Sequence, residues 1–291
     1  MDLLNSDTLK RLERMQIVTR RMNAGRMHGD RRSKRRGLGN DFVDYRNYVF
    51  GDDTRCLDWK IYARLDKLYL KLFQEEEDLS VYILIDCSES MNFGTPNKLS
   101  YAKQVAAAIG YVCLCNMDNV AIHAFGDGIE ASWGPKRGKV NAVRSFEFLE
   151  RVGPFAATDF VKSARTFAQS TKKKGIVILL SDFYDANGCE EGLRTLFGHN
   201  FEVYLIHLLS QNELEPDLTG DVCLVDCELG ATTDVTLGRS LLTSYKRTLN
   251  AFTNGLHRYV SARGGCYLLC STELSFDRLV LDILCKKGLI Q

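Results

Sequence analysis

Proline is scarce, four in 291 residues, which excludes long proline-rich linkers. Long apolar runs are missing as well. Aliphatic stretches such as Val81–Ile85 and Ile176–Leu180 fall far short of the roughly 18–20 residues that cross a bilayer. The opening MDLLNSDTLKRLERM places charges where a signal peptide needs an apolar segment. A cytoplasmic chain without a membrane span is therefore expected. Neither charge sign is in excess. With 38 Lys and Arg against 37 Asp and Glu, the net charge is +1, so no overall field drives the protein onto nucleic acid. Also absent are the P-loop pattern Gly-x4-Gly-Lys-[Ser/Thr] and the Gly-x-Ser-x-Gly nucleophile elbow, which removes P-loop ATP hydrolysis and elbow-type serine hydrolysis. What remains is 45% hydrophobic and 26% charged, an ordinary globular balance. The length fits one large domain, or one domain with an added layer.

Cysteine is plentiful, ten residues, and most sit in apolar runs such as YVCLC, DVCLVDC and GGCYLLC, where Cys acts as a small core residue. Without a secretory signal, reduced thiols are the natural state. A zinc site built from Cys223-x3-Cys227 and Cys266-x3-Cys270 is the sharper alternative. Structural zinc favours tight turns such as C-x2-C, whereas these pairs fall in expected strands, so core cysteines are preferred.

Charge is unevenly spread. Residues 1–36 carry 11 basic and 4 acidic groups, leaving a net −6 on residues 37–291. Leu9, Leu12, Ile17 and Val18 recur at roughly helical spacing and predict an N-terminal amphipathic helix. The basic run Arg26–Arg36 has the charge to grip phosphates but little aromatic interleaving to stack bases. A solvated loop is the simpler expectation, and nucleic-acid binding the alternative. Asp66–Phe73 alternates like a half-buried strand. The charges from Asp44 to Asp66, alternating in sign, predict surface ion pairs more readily than a docking face.

From Leu79 the rhythm becomes βα. Expected strands are Val81–Ile85, Val120–Phe125, a short one near Ile129–Trp133, Ile176–Leu180, Phe201–Leu208 and Cys266–Cys270, with weaker candidates at Val222–Cys227 and Thr233–Leu237. Between them run helices, the first with Leu99, Ala102, Val105, Ala106, Ile109 and Val112 on one face. Apolar strands alternating with amphipathic helices predict an α/β fold, a doubly wound, mostly parallel sheet between helices. Ligands in such sheets sit at the carboxyl ends of the strands. There, Ile85 leads into Asp86-Cys-Ser88-Glu-Ser90, and Leu180 into Ser181-Asp182. The segment Gly153–Asp159 places Thr158 just before a helix. Carboxylates and hydroxyls of this kind suit Mg²⁺ or Mn²⁺. Taken singly, Thr158 reads equally well as an N-cap and Asp182 as a turn cap.

Together, Asp86-x-Ser88-x-Ser90, Thr158 and Asp182 resemble the metal-ion-dependent adhesion site of von Willebrand factor type A domains, with all five positions filled by matching residue types. The resemblance implies one short antiparallel edge strand in the sheet, one divalent cation held by these five side chains, and an open coordination position for a partner's Asp or Glu. Further motifs extend it: Arg31–Gly39, Phe42-x-x-Tyr45-Arg-x-Tyr48, Gly51-Asp-Asp53, Asp58-Trp-Lys60 and Ala63-Arg64 are similar to the family called domain of unknown function fifty-eight. Its members often accompany MoxR-type AAA+ ATPases. On this resemblance, residues 1–78 form a basic helix, loop and β extension, and residues 79–291 a type A-like domain. The expected function is a cytoplasmic Mg²⁺-dependent protein–protein interaction module, an adaptor for such an ATPase in the assembly or maturation of a protein complex. No enzymatic activity is expected. The five histidines do not cluster with a nucleophile, and His123 and His207 fall inside strands. A metal-dependent hydrolase is the catalytic alternative.

Overall fold

The protein is described by a computed structural model covering residues 3–17, 36–37, 41–50, 52–74, 79–155, 158–185, 188–216, 220–225, 232–274 and 278. The basic run up to Arg35, with Val18, Gly51, Glu75–Asp78 and Cys227, lies outside the described residues. The chain divides into two compact units, one of residues 1–20 with 79–291 and one of residues 21–78. This differs from the expected division, which kept residues 1–78 together. The cause is the first helix, α1 (Ser6–Leu12). It ends earlier than the hydrophobic spacing implied, and Leu4, Leu12 and Ile17 are buried in the larger core. Glu13 fixes the arrangement, accepting hydrogen bonds from Tyr111 Oη (2.7 Å) and Lys139 Nζ (2.7 Å).

In the smaller unit, β1 (Arg36–Gly37) and β2 (Asp41–Asn47) flank β3 (Tyr69–Gln74) in an antiparallel sheet. A short helix that the sequence pattern did not reveal, α2 (Trp59–Leu65), is capped by Asp58 through the amides of Lys60 (2.9 Å) and Ile61 (3.2 Å). Asp58 also accepts from Tyr45 Oη (3.1 Å) and pairs with Lys71 (3.2 Å). Asp52 bonds Arg46 and the Val49 amide, and Asp53 caps the turn at Thr54–Cys56. The alternating charges thus serve as caps and local ion pairs.

In the larger unit a six-stranded sheet runs in the order β11-β8-β7-β4-β5-β6, formed by β4 (Ser80–Asp86), β5 (Asn119–Phe125), β6 (Ile129–Lys136), β7 (Ile176–Ser181), β8 (Glu202–Leu209) and β11 (Cys266–Ser271). All neighbours pair in parallel except β6, the antiparallel edge. Every residue of β4 and β7 is buried, as befits strands covered on both faces. Along β4, Val81, Ile83 and Ile85 enter one core with helix α3 (Lys98–Cys115), and Tyr82 and Leu84 enter the other with α5 (Phe160–Ser170). Helix α3 is buried almost all round rather than on one face. The N-terminal segment and α4 (Ala142–Arg151) cover the side that a two-layer arrangement would leave wet. Among the described residues the remaining α-helices are α6 (Glu190–Gly198), α7 (Gln211–Leu214) and α8 (Arg239–Ser261). The two weaker strand candidates, β9 (Gly220–Val225) and β10 (Thr232–Leu237), pair only with each other, as a separate antiparallel ribbon.

One close approach locks the two central strands together. At Gly175, directly before β7, a Cβ would stand 2.1 Å from the Ser80 carbonyl oxygen. Gly175→Ala is expected to cost about 1–3 kcal/mol as an overpacking change, seen as a fall of several degrees in Tm by calorimetry.

Candidate functional site

The parallel pairing that sets Ile85 beside Leu180 brings the carboxyl ends of β4 and β7 together, and with them Asp86 and Asp182. Both are buried, 3% and 1% exposed. Asp86 Oδ1 accepts from the Ser88 amide (2.9 Å), and Oδ2 from the Ser181 hydroxyl (2.5 Å). Alternate residues of the loop then turn the same way, so that Ser88 Oγ and Ser90 Oγ lie 2.9 Å apart. Burial, followed by the nearby Asp182 charge, pushes the Asp86 carboxyl up to about 7. Both causes disfavour an ionised carboxylate without a compensating cation.

Thr158 lies in sequence between two ties to this end of the sheet, at Phe155 and at Asp159, whose amide donates to the Gly126 carbonyl (3.0 Å) just past β5. Phe155 bridges to Ser88, and its amide donates to the Cys87 carbonyl (2.5 Å). The N-cap role open to Thr158 is taken by Asp159, which accepts from the Lys162 amide (2.8 Å). The Thr158 hydroxyl is buried with no hydrogen-bond partner among the described residues. Asp182 combines two tasks. Its Oδ1 accepts from the Tyr184 amide (3.2 Å) as a turn cap, and its Oδ2 takes a buried ion pair.

That ion pair comes from Lys98, a residue the pattern reading passed over. Its side chain is 1% exposed, and Nζ donates to Asp182 Oδ2 (2.8 Å) and to Glu213 Oε1 (2.7 Å). Burial acts against its charge, but Asp182 and Glu213 outweigh it and hold the ammonium above its ordinary value. A lysine at the first position of a largely apolar helix was the available signal, and it reads as a solvated helix end. Ser181 stood in plain view beside Asp182. Glu213 had no signal at all, because its role comes from a contact 115 residues away in sequence.

The residues fit a divalent cation. Two carboxylates and two facing hydroxyls converge on the strand ends, and the Thr158 hydroxyl, three residues past the Phe155 bridge to Ser88, is desolvated without a partner among the described residues, a costly state unless something else satisfies it. Among the described residues no three His, Cys, Asp or Glu side chains group as a metal site. That covers the zinc alternative and also the Asp86–Asp182 site, where only two carboxylates meet. Cys266 and Cys270 are buried core residues of β11, and Cys270 contacts Tyr101 Oη at 3.7 Å. Burial pushes the Cys270 thiol up to about 11. Cys223 is exposed on the separate ribbon. His123 and His207 sit in strands, bonded to Ser132 and Tyr267 and pushed down by burial to about 4.

The model of a family described as "Protein of unknown function DUF58" matches residues 44–252. The chain belongs to this family. Its relatives include the uncharacterized protein Rv1480 of Mycobacterium tuberculosis, 23% identical over 268 residues, which span 90% of this DUF58 chain and 84% of that protein. Among solved structures it is similar to BatB from Bacteroides thetaiotaomicron (13% identity, TM-score 0.43, 72% of this chain and 98% of that one). It is also similar to proximal thread matrix protein 1 from the mussel byssus, a structure described with a zinc-occupied MIDAS motif (12% identity, TM-score 0.43, 74% of this chain and 48% of that one). Among the described residues of the DUF58 chain, no helix is long and apolar enough to cross a membrane.

Proposed function

We propose that this DUF58 protein is a divalent-cation-dependent protein-interaction module that recognises an Asp or Glu side chain of its partner. The observation that carries the reading is the buried, partnerless Thr158 hydroxyl on the segment tied to Ser88 through Phe155, together with the turn that groups Asp86, Ser88 and Ser90 and the Asp182 charge near Asp86. Asp86, Ser88, Ser90, Thr158 and Asp182 would hold the cation, Mg²⁺ or Mn²⁺ by the hardness of these oxygens. When bound, the cation supplies Lewis acidity that offsets the desolvation of an incoming carboxylate. The protein's own part is pre-organisation. The Ser88 amide and Ser181 hydroxyl orient Asp86, the Tyr184 amide orients Asp182, and the sheet register keeps both in place. The family resemblance favours a MoxR-type AAA+ ATPase as partner, in cytoplasmic assembly or maturation of a protein complex, with no catalytic step in this chain.

The test is capture of partners from native cytoplasm in Mg²⁺, with wild type and Asp86→Ala side by side. Wild type is expected to retain an AAA+ ATPase that EDTA releases and that Asp86→Ala never captures. Equal capture by both proteins, unaffected by EDTA, would show that the metal does not bridge the interface.

A further inference from the structure

The cluster around Lys98 is built as firmly as the cation site it adjoins. Its ammonium lies between Asp182 and Glu213, with the rings of Tyr184 (5.6 Å) and Phe93 (5.9 Å) on its flanks. Glu213 is itself fixed. Its second oxygen accepts from the Ser210 amide (2.7 Å) and hydroxyl (2.8 Å), the capping box that starts α7. A chain of charge-assisted bonds thus runs from that cap through Glu213 and Lys98 to the Asp182 carboxylate. The bonds from Asp182 to Lys98 and from Lys98 to Glu213 are each 2.8 Å or shorter.

An ammonium in this place does two things to a neighbouring divalent cation. It lowers the negative charge the cation meets, since Asp86, Asp182 and Glu213 would give three negative charges and Lys98 reduces them to two. It also occupies the gap through which Glu213 would otherwise face Asp182, keeping a third carboxylate out of reach. We infer that Lys98 is an internal counter-cation that sets both the affinity and the selectivity of the metal site, holding it to two carboxylates and so to a small, weakly bound ion that a partner's carboxylate can still share. The inference rests on the metal-site reading above and goes beyond it by assigning selectivity to residues outside the five ligands. Lys98 and Glu213 act through Asp182 and are positioning residues.

A charge ladder tests it, with Mg²⁺, Mn²⁺ and Ca²⁺ each titrated calorimetrically into the full chain. Lys98→Met, which keeps the apolar stem and removes the charge, is expected to bind divalent ions about tenfold more tightly. The largest gain should be for Ca²⁺, whose larger shell accepts the added Glu213 carboxylate. Glu213→Gln preserves a capping-box residue type and leaves the ammonium with one negative partner fewer, so Mg²⁺ binding is expected to weaken about tenfold. Glu215→Gln removes an exposed charge just past the C-terminus of α7, two residues from Glu213, without touching Lys98, and should stay within about twofold of wild type. The opposite signs of the first two shifts are the signature. Damage to the fold alone would weaken both variants. Should Lys98→Met fail to fold, the contrast between Glu213→Gln and Glu215→Gln decides. Affinities unchanged in both Lys98→Met and Glu213→Gln, with wild type binding Mg²⁺ and Asp86→Asn not, would overturn the role of Lys98 and leave the metal site standing. A wild type that binds none of the three ions would overturn both.

Discussion

Asp86→Asn is expected to raise the Tm of the protein in EDTA at neutral and mildly alkaline pH, while abolishing the stabilisation that Mg²⁺ gives the wild type. The carboxyl is 3% exposed and is pushed from an ordinary 3.8 to about 7, first by burial and then by Asp182. The sign follows from proton linkage. Between about pH 4 and pH 7 the folded state keeps a proton that the unfolded chain has released, so raising the pH through that window removes stability. Above that window the penalty for holding a buried carboxylate charged is fully present. Asparagine carries no charge to desolvate. Its Oδ1 can still accept from the Ser88 amide and its Nδ2 can donate to the Ser181 hydroxyl, which also accepts from the Phe183 amide, at the cost of the acceptor that this hydroxyl's proton has in the wild type. The expected gain in EDTA is roughly 5–10 °C, fading as the pH is lowered toward 4. A cation that binds only the folded protein raises Tm by mass action, and that increment should appear in wild type alone. Calorimetry across this pH range, with EDTA and with Mg²⁺, checks both halves. An Asp86→Asn protein less stable than wild type in EDTA at alkaline pH would show that the carboxylate is not electrostatically frustrated.

Phe167→Ala is the second large effect, expected to destabilise the fold by about 3–5 kcal/mol. Phe167 is 1% exposed on the inner face of α5 and meets Tyr82 (5.3 Å between ring centroids), His123 (5.3 Å) and Phe201 (5.4 Å). Its removal leaves a cavity between α5 and the sheet face to which Tyr82 and Leu84 contribute, and rings held from three sides cannot collapse to fill it. Urea unfolding should show a lower midpoint with an unchanged slope. A loss under 1 kcal/mol would mean that this side of the core relaxes freely.

The alternation of apolar strands and amphipathic helices was enough to read the parallel sheet, because strands covered on both faces need continuous Val, Ile and Leu, and Val81–Ile85 and Ile176–Leu180 have little else. The Asp86–Ser90 loop was legible as an oxygen-rich turn, since Asp86 ends a strand at an abrupt change to oxygen-bearing residues. Legibility failed where a residue's meaning depends on a distant partner. Helix α3 reads as one-faced because its outer alanines, cysteines and tyrosines look neutral until α1 and α4 cover them. Thr158 reads as a helix cap until Asp159 is seen to hold that place.

Local chemistry along the chain therefore determined the fold class, the strand ends and the oxygen-bearing character of four residues there, the two aspartates Asp86 and Asp182 with Ser88 and Ser90. Hydrophobic periodicity and loop composition act between near neighbours, and these features need nothing further. Only the tertiary structure decided that the N-terminal helix joins the larger core, that Thr158 is left without a protein partner, and that Lys98 is buried between Asp182 and Glu213. Burial and long-range ion pairing depend on which segments the packed chain brings together, and a lysine at a helix start looks the same in sequence whether it faces water or two carboxylates.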